Sequence, residues 1–340
     1  MPGRTPNRCF VRSPPSGPKG SNRGARAFRH EGRAVVSAVR TPAARADALG
    51  GVFIGLASLQ FGLVVVLGKL VSNSHLPIAS FLAVRFGFAA VLLALMLMVS
   101  RQPLRAAPGE GWRLAVLGMV GYAMESGLFF AALKHGTAPA VTLLFFTYPV
   151  MVTIVAIVRG QGVPAGLVAV SLGAAVAGAT LVAVAGGGVD IDATGALLAF
   201  GAAVMFTLYL TGADAVLHGT NSLTGAMWVS GSASISLAAF AVLTGTAALP
   251  HGSHQWAEVI GAGAFTAGAF VCLFAGLRRL GPVRTSIIAA TEPLAATILA
   301  VLFLSTKLRL GTVGGGLLIL AGAVVASVAR KDVPAEPPVP

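Results

Sequence analysis

The chain has 340 residues, 56% hydrophobic and only 10% charged, with a mean hydropathy of +0.84. Soluble domains carry about 25% charged residues. This composition therefore excludes an ordinary cytosolic enzyme and a disordered chain, and points to lipid as the main solvent. The net charge of +13 is not a nucleic-acid signal once it is located.

Residues 1–48 hold nine Arg and Lys19 against Glu31 and Asp47, among many Pro, Ser and Gly. Such a tail cannot bury enough apolar surface to fold alone, and it lacks the apolar run of a secretory signal. Three readings stay open for it: a disordered cytoplasmic arm touching anionic lipid, a start set too far upstream with the protein beginning near Val35 or Val39, or an organellar transit peptide. Cys9 lies in this tail and Cys272 in an apolar stretch, so a disulfide framework is not expected.

From residue 50 onward, apolar runs near the ~20 residues a crossing needs follow one another with short polar breaks. They predict spans over 50–71, 77–99, 112–132, 137–157, 164–185, 195–217, 223–248, 258–277, 283–304 and 310–329. Ser72-Asn73-Ser74-His75, Gly109-Glu110-Gly111, Gly186-Gly187-Gly188 and His251-Gly252-Ser253-His254 supply the turn chemistry. The runs are continuous rather than alternating, which argues against barrel strands. Lys and Arg in the flanks set the orientation. With the N-terminus inside, Arg40, Arg45, Arg101, Arg105, Arg113, Arg159, Arg278, Arg279, Arg330 and Lys331 fall on inner flanks, and Lys69, Lys134, Lys307 and Arg309 on outer ones. Both termini are expected in the cytoplasm of a cell-membrane protein.

The two halves align without a gap at an offset of 144: Gly51 on Gly195, Leu133-Lys134 on Leu277-Arg278, Pro149 on Pro293, Gly178 on Gly322. Thr147-Tyr148-Pro149 meets Thr291-Glu292-Pro293. The expected fold is an all-α integral membrane protein of ten transmembrane helices in two inverted five-helix repeats, 50–188 and 195–330, with a short tail at 331–340. Five spans per half require the copies to sit upside down, and transporters of that build bind substrate at the repeat interface.

The pattern resembles the EamA-like transporters of the drug/metabolite transporter superfamily over residues 50–330. The resemblance is carried by Leu82-Ala83-Val84-Arg85-Phe86 in the second span. It is carried also by the stretch Ala275-Gly276-Leu277, Gly281-Pro282-Val283, Thr291-Glu292-Pro293-Leu294-Ala295-Ala296 and Gly311 to Gly322. The family usually has a Gly-Glu pair after the fourth and ninth spans. Here those places read Arg159-Gly160-Gln161 and Leu304-Ser305-Thr306-Lys307, so any role of those acids does not carry over. The resemblance implies movement, often outward, of a small metabolite such as an amino acid or derivative, a purine or a drug-like compound.

Ionisable residues at depth are the candidate substrate-binding groups. Arg85 and Glu125 lie at matching depths, roughly 12 Å and 10 Å from the outer ends of their spans at 1.5 Å per residue. They read either as a buried ion pair or as ligands, Arg85 for a carboxylate and Glu125 for an amine or proton. Glu292 precedes Pro293, which frees the carbonyl of Ala289. An acid beside such a break is a ligand for a cation or proton or a packing contact. Gln60, Tyr148, Tyr209 and Trp228 place polar atoms inside apolar runs and complete the set. Lys69, Arg284 and Lys307 read as snorkelling to the interface, and Gly51/Gly55, Gly162/Gly166 and Gly311/Gly315 fit small-xxx-small contacts.

No catalytic motif of the H-E-x-x-H, G-x-S-x-G or phosphate-loop type occurs. No enzyme activity, cofactor or metal is expected. The expected partners are a substrate, membrane lipid and a coupling proton, with a homodimer left open. The competing readings are a channel or scaffold and, further off, an intramembrane lipid- or acyl-modifying enzyme.

Overall fold

The computed structural model describes residues 42–72, 76–136, 138–161, 166–185, 191–304 and 310–328. The readings made for residues 1–41, His75, Gly162, Gly186-Gly187-Gly188, Lys307, Arg309 and the tail at 331–340 lie outside these, as does the side chain of Lys69. Among the described residues every regular element is a helix. The described residues from 45 to 328 form one compact unit.

The helices run α1 Pro42–Ser72, α2 Ile78–Val99, α3 Gly111–Val116, a π-helical turn Leu117–Tyr122, α4 Ala123–Ala132, α5 Ala138–Phe145 and α6 Tyr148–Val158. They continue as α7 Gly166–Ala185, α8 Ala193–Val216, α9 Ser222–Leu243, α10 Gly252–Ala289, α11 Glu292–Leu304 and α12 Leu310–Val328. Among the described residues, seven helical stretches are long and apolar enough to cross a membrane. Two more, Gly166–Leu181 and Val313–Ala326, are apolar but shorter. Helix starts use ordinary capping chemistry: Asp192 accepts from the Gly195 amide at 2.6 Å and Asn221 from Thr224 at 2.7 Å.

The internal repeat persists in the helix boundaries. α2 and α9 share both ends at the 144-residue offset, 78 with 222 and 99 with 243. The gap between α5 and α6, before Pro149, repeats as the gap between α10 and α11, before Pro293: 145 maps on 289 and 148 on 292. Contacts between the halves are reciprocal. Gly178 of α7 abuts the Gly315 carbonyl and the Ile319 amide, while Gly322 of α12 abuts the Ser171 carbonyl and the Ala175 amide, the same positions moved by 144. Gly87 faces Ser234 across α2 and α9, and Gly231 faces Ala90 in return.

α10 is two arms. Gly50 and Ile54 of α1 meet Leu280 and Gly276, and Gln60 reaches Cys272, so α1 runs antiparallel to the first arm. Beyond Gly281, Asp47 meets Arg284, Ser58 meets the Ala289 carbonyl, and Gly62 lies against Ala296 of α11. That order is parallel. The chain therefore reverses at Gly281, whose φ of 74° and ψ of 173° are open to glycine, and Pro282 needs no amide partner there.

Loop contacts fall into two sets. In one, Glu110 accepts from the amides of Gly219 and Thr220 at 2.7 and 2.9 Å, and Arg278 donates to the Thr220 carbonyl at 2.9 Å. Burial opposes the charge on Glu110, but the Thr220 hydroxyl and these amides win and hold its carboxyl below the usual range. In the other, His135 meets Asp192 at 3.1 Å, and Ser80 donates to the Thr246 carbonyl at 2.8 Å. The Gly195 amide and His135 hold the Asp192 carboxyl low.

Arg284 corrects the expectation of snorkelling. It is 5% exposed, its Nη1 pairs with Asp47 at 3.2 Å, and its Nε donates to the Ala326 carbonyl at 2.6 Å. Asp47 belongs to α1, which begins within the stretch read as tail. A carboxylate and a helix-terminal carbonyl together make burial of the guanidinium affordable, where lipid headgroups were the expected alternative.

Candidate functional site

A narrow cavity of about 60 Å³ lies where both repeats meet. The first repeat contributes Ser58 and Phe61 from α1, Arg85 from α2, Tyr122 from the π turn, Glu125 and Ser126 from α4, and Phe145 from α5. The second contributes Phe206 of α8, Leu273 and Ala289 of α10, and Glu292 at the first residue of α11. At ~15 Å³ per water the space holds a few waters, well below the ~300 Å³ of a ligand-filled site.

Local sequence explains the placement. Pro149 and Pro293 break their helices, and the second break puts Glu292 on the cavity wall. The Ala289 carbonyl freed by Pro293 accepts from the Ser58 hydroxyl at 3.5 Å, a polar satisfaction that an apolar surround demands. The π turn advances the backbone before Glu125, as such insertions commonly do beside functional groups. Gly118 there lies against Val229 and Ser232 of α9, and Gly121 against Tyr209, so the turn is wedged on α8 and α9.

Arg85 and Glu125 share the cavity, in keeping with their matched depths, but they do not form the expected ion pair among the described residues. Glu125 instead accepts from the neighbouring Ser126 hydroxyl at 2.9 Å and feels Arg85 through space. The Arg85 guanidinium lies over the Phe86 ring at 4.2 Å and the Phe81 ring at 5.6 Å. Those faces attract a cation and draw the side chain away from the acid.

The other candidates lie behind or beyond the wall. Tyr148 is buried, donates to the Ser286 carbonyl at 3.4 Å and packs edge-on to Phe206 at 4.7 Å. Tyr209 is buried against Tyr122 at 5.0 Å, and its hydroxyl has no hydrogen-bond partner. Gln60 sits between α1 and α10, donating to the Leu56 carbonyl and to Cys272 Sγ. Trp228 is remote from the cavity: its indole donates to the Leu104 carbonyl in the loop after α2. Tyr122, Ser58 and Ser126 line the cavity and went unread in the sequence. Ser58 was legible in principle, since it faces the carbonyl that Pro293 frees. A second, larger groove of about 270 Å³ between α2 and α9 is lined by Ser80 and apolar side chains and carries no charge.

Among the described residues no cluster of three or more metal-ligating side chains exists. What the cavity offers is charge recognition: one guanidinium, two carboxyls, three hydroxyls and an aromatic wall.

Apolar helices in two matched bundles around a charged cavity are the build of a multi-pass membrane protein. Residues 48–184 and 193–328 each match the EamA-like transporter family, and the chain belongs to that family, within the drug/metabolite transporter superfamily. A solved structure described only as "Crystal structure of protein" is similar to the chain with a TM-score of 0.69 at 20% identity, over 83% of this chain and 98% of the other. At that identity the likeness concerns the fold. No curated protein matches the sequence.

Proposed function

We propose that the protein is a secondary transporter of the cell membrane that exports a small metabolite by alternating access. Its ten crossings form two inverted halves, 50–188 and 195–330, with both termini cytoplasmic. The observation that carries this reading is the charged cavity at the junction of the repeats, built on a broken helix. The reciprocal Gly178 and Gly322 contacts support inversion, because five crossings per half related by a two-fold must run oppositely. The reversal at Gly281 supports the count, since it divides α10 between the eighth and ninth crossings. The two sets of loop contacts support the alternation of crossings, since each joins only loops that the topology places on one side, and the Lys and Arg of the flanks support the orientation.

The driving gradient acts through Glu292, the acid at the break, with Glu125 on the same cavity. Lipid surrounds the bundle, and no further partner is required. The test is flux in proteoliposomes across a panel of amino acids, purines and cationic drugs, with and without a proton gradient. Saturable flux is expected, and Glu292→Gln is expected to abolish its pH dependence while insertion is retained. Unchanged pH dependence in Glu292→Gln overturns the coupling role. Unitary currents in place of saturation favour a channel.

A further inference from the structure

The groove between α2 and α9 has a counterpart at the other end of the same helix pair, and the counterpart shows what fills it. The two helices run antiparallel: Ser80, near the start of α2, donates to the Thr246 carbonyl after α9, and Thr224, near the start of α9, donates to the Pro103 carbonyl after α2. Ser80 and Thr224 are equivalent at the 144-residue offset. The turns that end the helices are equivalent too. The amides of Ser100, Arg101 and Gln102 donate to the carbonyls of Met96, Met98 and Leu97, and those of Thr244, Gly245 and Thr246 donate to Phe240, Val242 and Ala241. Arg101 takes a φ of 53° where its counterpart Gly245 takes 66°. A non-glycine residue seldom adopts that backbone, so the shared turn is imposed by the fold at both ends.

The two ends differ in the side chains beside the turn. At one end the Trp228 indole donates to the Leu104 carbonyl at 3.0 Å, and its ring edge faces Gly111 of α3. At the other end Val84 holds the place of Trp228 and Ala248 that of Leu104. Likewise Ala83 stands for Met227 and Ala241 for Leu97. Each of these exchanges removes side-chain volume. Val84, Ala248, Ala83 and Ala241 all line the groove of about 270 Å³, close to the ~300 Å³ at which ligand sites begin.

The groove also has an acceptor to offer. Its Ser80 hydroxyl is engaged by the Thr246 carbonyl and the Ala248 amide. The Ala248 carbonyl, equivalent to the one that Trp228 satisfies, accepts no hydrogen bond among the described residues. A lipid hydrocarbon chain would occupy the space without using that carbonyl. A flat ring with an N–H uses both, in an arrangement the other half already displays.

We propose that this groove binds a flat aromatic molecule bearing a ring N–H, an indole in the simplest case. Its ring takes the place that Trp228 holds at the opposite end, and its N–H donates to the Ala248 carbonyl. The site is separate from the charged cavity between the repeats.

The experiment uses the full chain in nanodiscs and 5-fluoroindole followed by fluorine NMR, with empty nanodiscs as the control for partition into lipid. One saturable site per chain is expected. 1-Methylindole, which keeps the ring and loses the donor, is expected to compete at least tenfold more weakly than indole. Val84→Trp, which puts the chain's own indole in the groove, is expected to abolish the site. Ala241→Leu, which restores the bulk of Leu97 alone, is expected to weaken binding at least tenfold, and it serves if Val84→Trp does not give a monodisperse protein. Undiminished binding in the folded variant overturns the proposal, since the probe then sits elsewhere, the charged cavity included. Equal competition by indole and 1-methylindole, or displacement by oleate but not by indole, assigns the groove to hydrocarbon and overturns it as well. Absence of saturable binding to the folded wild type overturns it outright.

Discussion

Arg85 and Arg284 are both buried arginines in apolar helices, yet their environments differ in kind. Arg284 is closed off by Asp47 and a backbone carbonyl, whereas Arg85 rests on rings with donors to spare. Sequence position alone does not separate these cases. Arg284 lies near a span end and Asp47 lies 237 positions away in a stretch that reads as tail, so only the fold pairs them. Arg85, Glu125 and Glu292 were legible because isolated charges in apolar runs stand out against insertion cost. The aromatic candidates were not resolved in this way, since a tyrosine inside a run reads alike on either side of a wall. Tyr209 gives a direct check. Its buried hydroxyl lacks a partner, and such a group typically costs about 1–3 kcal/mol. Tyr209→Phe is expected to raise the melting temperature and leave transport intact. A loss of transport in that variant would return Tyr209 to the binding set.

At the scale of helices, the offset of 144 was readable from paired prolines and glycines, and the structure turns it into paired contacts. The breaks before Pro149 and Pro293 follow from the missing amide, which a sequence displays. The π turn at Leu117–Tyr122 does not announce itself, because it arises from how Gly118 and Gly121 seat against α8 and α9. Of the small-residue pairs, Gly311 and Gly315 do face α7, whereas Gly55 faces open space. The α7–α12 pairing makes a symmetrical forecast. A methyl at Gly178 would lie 2.6 Å from the Gly315 carbonyl oxygen, and one at Gly322 would lie 2.8 Å from that of Ser171. Backbone cannot yield as a side chain tip does, so each alanine is expected to cost about 1–3 kcal/mol as overpacking. Unfolding of Gly178→Ala and Gly322→Ala in mixed micelles measures this. A cost at one site and none at the other would contradict the two-fold relation.

For the molecule as a whole, each of the two sets of loop contacts holds a titratable carboxylate. Asp192 sits below the ordinary carboxylate range because the Gly195 amide and His135 favour its charged form. A lowered native value means that its stabilisation is complete above the ordinary range and is lost as pH falls through the lowered value. The melting-temperature gap between wild type and Asp192→Asn is therefore expected to be present at neutral pH and to close in acid. A gap that stays constant down to pH 2 would show that the charge of Asp192 does not matter. Glu110 ties the other set of loops, with a carboxyl lowered by hydrogen bonds to residues 219 and 220.

Gly281 leaves the two arms of α10 no slack where they join. Like the legs of a drawing compass, they share one pivot and spread most at their far tips. If the proposed rocking takes place, it would be lopsided about that corner: the end of the bundle holding it would travel as a block, carrying the Asp47–Arg284 clasp with it, and the far tips of the two legs would open.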